Sequence, residues 1–268
     1  MKIAVVAPSC PLDPEAARIA QERAAAHGAE LVVHPQCFSV AGHFAGPDEE
    51  RLDALTEVMA DESVGAVWFA RGGYGSNRIA AAAARAAGEA ARAKTYMGYS
   101  DAGFLLAAFH RAGLNVAHGP MVQDVLREGG TAALERALGW LTQRSAEALE
   151  PGLRAGQPAM AFNLTVLSNL LGTEIEPDLA GRELLIEEVS EYAYAIDRSM
   201  YHVTAQESVR AVTQIRMGRM SDILKNDRPF GADADAIVRH WCDVSAIRHG
   251  GAADIGHDAA NRVVPFAL

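Results

Sequence analysis

The chain passes from strand to helix within the stretch Tyr96-Met97-Gly98-Tyr99-Ser100-Asp101-Ala102-Gly103. Residues 94–97 suit the end of a strand, and residues 104–110 are apolar enough for a buried helix. Ser100 therefore occupies a tight strand-to-helix turn, two residues after Gly98. This layout is that of a nucleophile elbow, in which the turn lifts a serine hydroxyl away from the backbone.

The same turn offers a hydrogen-bond donor to a reacting group. The first N–H groups of a helix have no partner within the helix, so the N–H of Asp101 is available to an oxyanion formed by attack of Ser100. The match to the usual pattern G-x-S-x-G is incomplete, because Ala102 takes the last position and Gly103 follows it. A second interpretation stays open here: Ser100 and Asp101 are favoured capping residues and could serve only to begin a helix.

Strands and helices alternate along the N-terminal part of the chain. Apolar runs at residues 3–7, 30–34 and 64–69 have the composition of strands buried on both faces of a parallel sheet. Between them, residues 15–27 and 48–61 have helical spacing. This β-α-β-α-β order predicts a three-layer α/β domain with a parallel sheet.

A glycine-rich loop, Arg71-Gly72-Gly73-Tyr74-Gly75-Ser76, follows the strand at residues 64–69. Ligands gather at the carboxyl ends of parallel strands, and glycines there let backbone N–H groups approach a ligand closely. The loop lacks the spacing of a phosphate loop and of the dinucleotide fingerprint. A tight turn into a helix predicted over residues 79–93 is therefore an equally good interpretation.

Three side chains near this loop are candidate substrate contacts. Arg71 and Tyr74 belong to the loop itself, and His118 ends a fifth predicted strand. A free carboxylate on a substrate would be received by Arg71 or by the N–H groups of the loop. For His118 a structural role is the alternative, since it stands alone at the end of its strand.

The second half of the chain follows a segment rich in proline and glycine. Residues 143–158 show little periodicity, which predicts a linker. We therefore divide the chain into an N-terminal α/β domain at residues 1–145, a linker at residues 146–159 and a smaller C-terminal α/β domain at residues 160–268. An apolar segment at the start of the last part predicts a helix over residues 160–172.

Three groups are candidates for nucleophilic chemistry: Ser100, an acid within residues 187–191 and His257. The acid lies in or just after a predicted strand at residues 183–189, and His257 lies in a loop near the C-terminus. A serine hydroxyl is a poor nucleophile until a base removes its proton. A histidine is the usual base, and a carboxylate fixes its tautomer and stabilises the imidazolium.

Composition and charge restrict the partners. The 24 basic and 34 acidic residues give a net charge of −10 without a basic block, so nucleic acid is not expected as a partner. No apolar run approaches the length of a membrane span, so a membrane is not expected either. Three cysteines, far apart, favour a reducing and therefore cytoplasmic compartment. No motif has the spacing of a metal site, and we expect neither a metal nor a cofactor.

Several short motifs occur in a characteristic order. They are Val6-Ala7-Pro8-Ser9, Arg71-Gly72-Gly73-Tyr74-Gly75-Ser76, Gly98-Tyr99-Ser100-Asp101, His118-Gly119-Pro120-Met121, Asn163-Leu164 with Leu171-Gly172-Thr173, Leu185-Ile186-Glu187-Glu188 with Glu191 and Asp197-Arg198, and Gly256-His257. With these motifs in this order, nearly the whole chain resembles the LD-carboxypeptidase family. These are bacterial serine peptidases of murein recycling, and they include the microcin-immunity peptidases.

The resemblance implies a role for each candidate residue. Ser100 would be the nucleophile, Glu187 the orienting acid and His257 the base. The oxyanion hole would use the N–H groups of Asp101 and of a glycine in Gly72-Gly73. The resemblance also implies an N-terminal α/β domain, a smaller C-terminal domain that carries the acid and the base, and a homodimer.

The leading functional hypothesis is a serine carboxypeptidase that releases terminal D-alanine from murein tetrapeptides. Glu187, rather than Glu188, is expected to serve His257, because neighbouring side chains of a strand point to opposite faces. One alternative is a family hydrolase that acts on a peptidyl-nucleotide antibiotic of the microcin type. Another is a non-catalytic protein that holds a small anion between the glycine loop and the Ser100 turn.

Overall fold

The computed structural model describes residues 1–267 of the chain. The strands are β1 (Lys2–Val6), β2 (Glu30–Val33), β3 (Val64–Phe69), β4 (Thr95–Gly98), β5 (Asn115–His118), β6 (Ala159–Asn163), β7 (Glu183–Val189), β8 (Gln214–Ser221), β9 (His249–Ala252) and β10 (Val264–Pro265). The helices are α1 (Pro14–Ala26), α2 (Asp48–Ala60), α3 (Asn77–Arg85), α4 (Glu89–Arg92), α5 (Gly103–Arg111), α6 (Gly130–Gln143), α7 (Leu164–Leu170), α8 (Ala193–Ala205), α9 (Glu207–Arg210) and α10 (Ala234–Val244). Together they form two sheets, each flanked by helices.

The first sheet has the order β10-β5-β4-β3-β1-β2 and is parallel except for β10. Alternate side chains of β1 point into different layers: Ile3 and Val5 pack with α1 and α6, whereas Ala4 and Val6 pack with α2, α3 and α5. A strand that is apolar on both faces requires such cover on both sides. The predicted three-layer α/β architecture with a parallel sheet is therefore confirmed.

The second sheet is smaller, with the order β6-β7-β8-β9, and all its strands are parallel. Helices α7, α8 and α10 pack on one face and share a continuous hydrophobic core with α5 of the first part. The opposite face is covered by Ile255 and Val264. The predicted smaller C-terminal α/β part is confirmed, while the boundaries at residues 145 and 159 stay a prediction, and Leu268 lies outside the described residues.

The end of the chain returns to the first sheet. Val264 and Pro265 in β10 pair antiparallel with His118 and Ala117 in β5. Because β5 is a neighbour of β4, this pairing carries the loop before β10, with His257, to the carboxyl edge of the first sheet. That edge is where β4 ends and the Ser100 turn begins.

Two of the predicted helices are wrong in part. Residues 159–163 form β6, and the helix predicted from residue 160 begins only at Leu164, where the Asn163 side chain accepts a hydrogen bond from the Val166 N–H. A short apolar run buried in a parallel sheet has the same pattern as a buried helix, so periodicity alone did not separate them. The helix predicted over residues 79–93 is broken into α3 and α4, because Gly88 between them is extended, with φ −86° and ψ −168°.

Two further properties concern the whole described chain. Within residues 1–267, no helix is both long and apolar enough to cross a bilayer. Cys10, Cys37 and Cys242 are buried and carry free thiols. Burial raises the pKa of Cys37 to about 12 and that of Cys242 to about 11, so these two thiols stay protonated at neutral pH.

Candidate active site

Ser100 occupies a strained turn between β4 and α5. Its φ is 58°, in the left-handed region that non-glycine residues seldom adopt. A 3-10 turn over residues 100–102 leads directly into α5, so the predicted strand-to-helix turn is confirmed. Strain of this kind is the backbone feature of a nucleophile elbow, and it persists only where the surrounding structure holds it in place.

The packing under this turn explains the departure from the usual motif. A Cβ added to Gly98 would lie 2.7 Å from Cδ2 of Phe69 and 3.2 Å from Cβ of Ala102. The missing side chain at Gly98 therefore makes room both for the neighbouring strand and for the methyl group of Ala102. The usual motif has a glycine on each side of the serine so that the backbone can pack closely. Here Gly98, before the serine, provides that close packing and leaves room for Ala102 at the second position.

A chain of hydrogen bonds joins the three candidate residues for nucleophilic chemistry. Nε2 of His257 lies 3.0 Å from Oγ of Ser100, and Nδ1 of His257 lies 2.6 Å from Oε2 of Glu187. The Glu187 side chain is fully buried, and that of His257 is 8% exposed. The structure thus brings together residues from the β4 turn, from β7 and from the loop before β10.

The partners of the His257 ring determine its tautomer. An ionised carboxylate only accepts hydrogen bonds, so we assign the proton to Nδ1, which donates to Glu187. Nε2 then carries a lone pair and can accept from the Ser100 hydroxyl. The ring packs against Tyr99 at a centroid distance of 4.8 Å, which fixes it between its two hydrogen-bond partners.

The glycine loop lies directly against the Ser100 side chain. A Cβ added to Gly72 would lie 3.1 Å from Oγ of Ser100, so a larger residue would crowd the hydroxyl. Gly73 has φ 111°, and a Cβ added there would meet Sγ of Cys10 at 2.2 Å. Gly73 is therefore required by geometry, and Gly72 leaves little room for a larger residue. The loop brings its backbone close to the Ser100 hydroxyl, where the sequence predicts an oxyanion hole.

The Asp101 carboxylate ties three loops together beside Ser100. Its Oδ2 accepts from Oγ of Ser9 at 2.5 Å and from the Ser76 N–H at 2.8 Å. The Ser76 hydroxyl in turn donates to the Asp101 carbonyl at 2.5 Å. Burial raises the pKa of Asp101, and the hydrogen bonds from the two serines oppose that rise. This network fixes the end of the glycine loop relative to the Ser100 turn.

A second network lies on the His257 side of Ser100. Oδ1 of Asp124 accepts from the Tyr99 hydroxyl at 3.0 Å and from Nε of Arg127 at 2.9 Å. Nη1 of Arg127 donates to the carbonyl of His257 at 2.7 Å. Burial raises the pKa of Tyr99 well above its usual value, and the Asp124 charge adds to the effect. Asp124 and Arg127 stand in no recognisable motif, and their contacts with Tyr99 and His257 join residues that are distant in the chain.

Glu187 needs a glycine on the neighbouring strand. A Cβ added to Gly218 in β8 would lie 3.1 Å from Cβ of Glu187 and 2.7 Å from the carbonyl oxygen of Ile255. The absence of a side chain at Gly218 therefore lets β7 and the segment before His257 approach each other. Gly218 is a further residue of the site that the sequence analysis missed.

His118 does not reach the cleft, and its predicted substrate contact is not supported. The residue is only 1% exposed, and its Nε2 lies 3.0 Å from Oδ1 of Asn261. The same Asn261 oxygen accepts from the Gly256 N–H at 3.2 Å. Burial lowers the pKa of His118 to about 4. His118 therefore supports the loop that carries His257, which is the structural alternative named above.

The other two candidate contacts line cavities that open beside Ser100. Tyr74 is half exposed and lines a cavity of about 600 Å³ together with Ser100. Arg71 is exposed and lines a second cavity of about 460 Å³, which also contains Ser100 and His257. Among residues 1–267, no three His, Cys, Asp or Glu side chains are grouped so as to hold a metal ion.

Models of known protein families match both parts of the chain. A family model described as the LD-carboxypeptidase N-terminal domain matches residues 3–119, and one described as the LD-carboxypeptidase C-terminal domain matches residues 158–268. The chain therefore belongs to the LD-carboxypeptidase family. The family predicted from the sequence motifs is thus confirmed.

Curated relatives carry related names. The chain is 33% identical to the "Probable murein peptide carboxypeptidase" of Bacillus subtilis over 74% of its own length, and this match spans 65% of the relative. It is 26% identical to the "Murein tetrapeptide carboxypeptidase" of Pseudomonas aeruginosa, over 99% of the chain and 91% of the relative. The match to the first relative thus leaves about a third of that protein outside the aligned region.

Solved structures show that the fold is shared. The muramoyltetrapeptide carboxypeptidase from Oxalobacter formigenes superposes with a TM-score of 0.82 at 22% identity, over 98% of this chain and 93% of the other. The protein MccF in complex with glutamyl sulfamoyl guanosine superposes with a TM-score of 0.79 at 17% identity, over 100% and 91% of the two chains. At these identities the likeness concerns the fold alone.

Proposed function

We propose that this protein is a serine carboxypeptidase that hydrolyses the L,D bond before the terminal D-alanine of murein tetrapeptides. One observation carries the proposal: Ser100, on a strained turn, is hydrogen-bonded to His257, which is hydrogen-bonded to the buried Glu187. This is the arrangement that serine acyl transfer needs. The names of the curated relatives support a murein peptide as the substrate.

The first half of the reaction acylates Ser100. Nε2 of His257 takes the hydroxyl proton as Oγ attacks the carbonyl carbon of the scissile bond. The imidazolium that forms is stabilised by the Glu187 carboxylate, which keeps the ring in place. His257 then gives the proton to the nitrogen of the departing D-alanine. The C–N bond breaks, and the acyl group stays on Oγ as an ester.

The second half returns the enzyme to its starting state. A water molecule replaces the leaving amine and attacks the ester carbonyl as His257 takes one of its protons. His257 then gives that proton to Oγ as the C–Oγ bond breaks, which releases the acyl product as a carboxylic acid and restores the Ser100 hydroxyl. In both halves the carbonyl oxygen becomes an oxyanion. We assign its stabilisation to the N–H groups of Asp101 and of Gly72 or Gly73, whose positions are held by the Asp101 carboxylate network.

A second candidate substrate is an aminoacyl or peptidyl nucleotide. The observation that favours it is the MccF fold match, since MccF structures contain aspartyl sulfamoyl adenosine and glutamyl sulfamoyl guanosine. The cavity of about 600 Å³ beside Ser100 is in the usual size range for such a ligand. The same triad chemistry would serve, because only the leaving group differs.

Product analysis by mass spectrometry separates these possibilities. The purified protein and its Ser100→Ala variant are incubated with a murein tetrapeptide, with the pentapeptide that ends in two D-alanines, and with an aminoacyl sulfamoyl nucleoside. We expect release of D-alanine from the tetrapeptide only, and none with the variant. Comparable cleavage of the pentapeptide would make this a DD-peptidase, and cleavage of the nucleoside alone would favour the second candidate. Binding of these compounds without cleavage would indicate a non-catalytic binding protein.

Two further properties are proposed from the family resemblance. We expect the protein to act in the cytoplasm and to form a homodimer. Light scattering on the purified protein measures the second property directly. A mass of one chain at working concentration would contradict it.

A further inference from the structure

The Ser100 side chain separates two cavities with different walls. His257 lines the smaller cavity, of about 460 Å³, together with Gly72 and Tyr99. The larger cavity, of about 600 Å³, is walled by residues that include Tyr74, Phe104, Asn163, Asn169, Thr173 and Ile175. A substrate whose carbonyl lies at Ser100 must therefore place one part in each cavity.

The chemistry of acyl transfer decides which part goes where. The group that takes the proton from Ser100 must later give it to the leaving nitrogen, so that nitrogen lies within hydrogen-bond reach of Nε2 of His257. The leaving group consequently occupies the cavity that His257 lines. The acyl part, which is the longer part of a tetrapeptide, is left with the larger cavity.

The two cavities also differ in charge. Arg71, Arg127 and Asp124 line the smaller one, whereas Asp101, Glu174, Glu188 and Glu191 line the larger. In the described part of the chain, no lysine or arginine lines the larger cavity. A leaving D-alanine carries a free carboxylate, so its charge is attracted by the first set of walls and repelled by the second.

Arg127 is the better placed of the two arginines. Its Nε donates to Asp124 and its Nη1 to the carbonyl of His257, which hold the guanidinium in one orientation. No group within residues 1–267 accepts a hydrogen bond from its Nη2, so that end remains available to a ligand. Both side chains are exposed, but Arg71 makes only a single long bond of 3.4 Å to the carbonyl of Pro11. A guanidinium that is already oriented loses less conformational entropy when it binds a carboxylate.

We propose that the smaller cavity is the leaving-group subsite and that Arg127 binds the carboxylate of the departing D-alanine, with a weaker contribution from Arg71. The assignment rests on the proposed function. It makes Arg127 the residue that restricts the enzyme to a free carboxyl terminus. Arg127 also donates to the backbone carbonyl of His257. The same side chain therefore binds the free carboxyl terminus and positions the catalytic base.

The test compares a murein tetrapeptide with its C-terminal amide, which lacks the charge but keeps the scissile bond. The ratio of kcat/KM for acid and amide is measured in the wild type, in Arg127→Gln and in Arg71→Gln. Arg18→Gln is the matched control, because it removes the same charge from an exposed position on α1. We expect the wild type and the control to prefer the acid by roughly 10- to 100-fold, the range for hydrogen bonds to a charged group.

In Arg127→Gln the preference should fall to within about 3-fold of unity, and in Arg71→Gln it should fall only in part. A displaced His257 would lower the rates for acid and amide alike, so the ratio reports binding of the carboxylate itself. An unchanged ratio in Arg127→Gln would overturn the proposal. If the wild type cleaves neither peptide, the proposed function fails. In that case the affinities of the acid and the amide are measured by calorimetry in Ser100→Ala, with and without Arg127→Gln. Equal affinities for acid and amide in Ser100→Ala would refute the proposed carboxylate subsite.

Discussion

Glu187 and Glu188 are consecutive in β7, yet their carboxylates serve opposite faces of the sheet. Glu187 lies 2.6 Å from Nδ1 of His257. Glu188 accepts three hydrogen bonds at the start of α7, from Nδ2 of Asn163 and from the N–H and hydroxyl of Thr165, and a fourth from the N–H of Val189 in its own strand. One carboxylate is therefore placed for chemistry, and the other fixes the start of α7 at the wall of the larger cavity.

This division predicts different consequences for two matched substitutions. Glu187→Gln should lower kcat by about 10⁴-fold, because the amide favours the wrong tautomer or orientation of His257. Glu188→Gln should change kcat by less than about 10-fold, but should cost about 1–3 kcal/mol of stability, since its NH₂ group would face hydrogen-bond donors. Steady-state kinetics and thermal melting of both variants check this. If Glu188→Gln had the larger effect on kcat, the acid would have to be reassigned.

A methyl group at Gly72 should block the reaction without unfolding the protein. The added Cβ would lie 3.1 Å from Oγ of Ser100, in the space that the tetrahedral intermediate needs. We expect Gly72→Ala to lose about 100-fold in kcat/KM, because the methyl group would displace the reacting carbonyl from Oγ and from the oxyanion donors. Gly88→Ala is the control, because nothing lies within 4 Å of its added Cβ. Normal turnover in Gly72→Ala would mean that the tetrahedral intermediate does not use the space beside Gly72.

The strain at Ser100 predicts a difference between two inactive variants. Ser100→Ala keeps a side chain at φ 58°, whereas Ser100→Gly removes the steric conflict. Both should be inactive, and Ser100→Gly should be the more stable by about 1 kcal/mol. Denaturant unfolding of the two proteins measures the difference. Equal stabilities would show that the turn stores no strain.

His118 should make stability depend on pH. Burial lowers its pKa to about 4, compared with an ordinary value near 6.5, so between these pH values the unfolded chain binds more protons than the folded protein. Stability should therefore fall as the pH is lowered from about 6.5 towards 4, by up to about 3 kcal/mol from this group. His118→Gln should remove this contribution to the pH dependence of the free energy of unfolding. The measurement is the free energy of unfolding of both proteins across this range, and parallel curves would exclude the assignment.

The sequence predicts an element correctly where its residue pattern is compatible with only one type of secondary structure. The bounds of β3 and β7 agree with the prediction, because each is a short apolar run that turn residues or polar residues delimit. The pattern predicts helix for residues 160–163, where the structure has strand, since a strand buried on both faces and a buried helix look alike over so few residues. Only pairing with β7 in the folded protein decides between them.

Site residues that stand in recognisable motifs could be predicted from the sequence. Residues that belong to the site only through long-range contacts could not. Ser100, Glu187 and His257 stand in recognisable motifs, and the structure brings them together. Arg127 and Gly218 stand in no motif that names their partners, because what each contacts is fixed by tertiary packing. His118 lies outside the cleft for the same reason: the end of a strand faces the cleft only if no later segment covers it, and here residues 256–261 cover it.

The most direct test of the central claim is the rate and site of labelling by a small fluorophosphonate, mapped by peptide mass spectrometry. The account predicts one label per chain, on Ser100, in the wild type. Labelling should slow by orders of magnitude in His257→Ala and in Glu187→Gln, because the hydroxyl then lacks an oriented base. A label on another residue, or equally fast labelling of Ser100 in His257→Ala, would contradict the account.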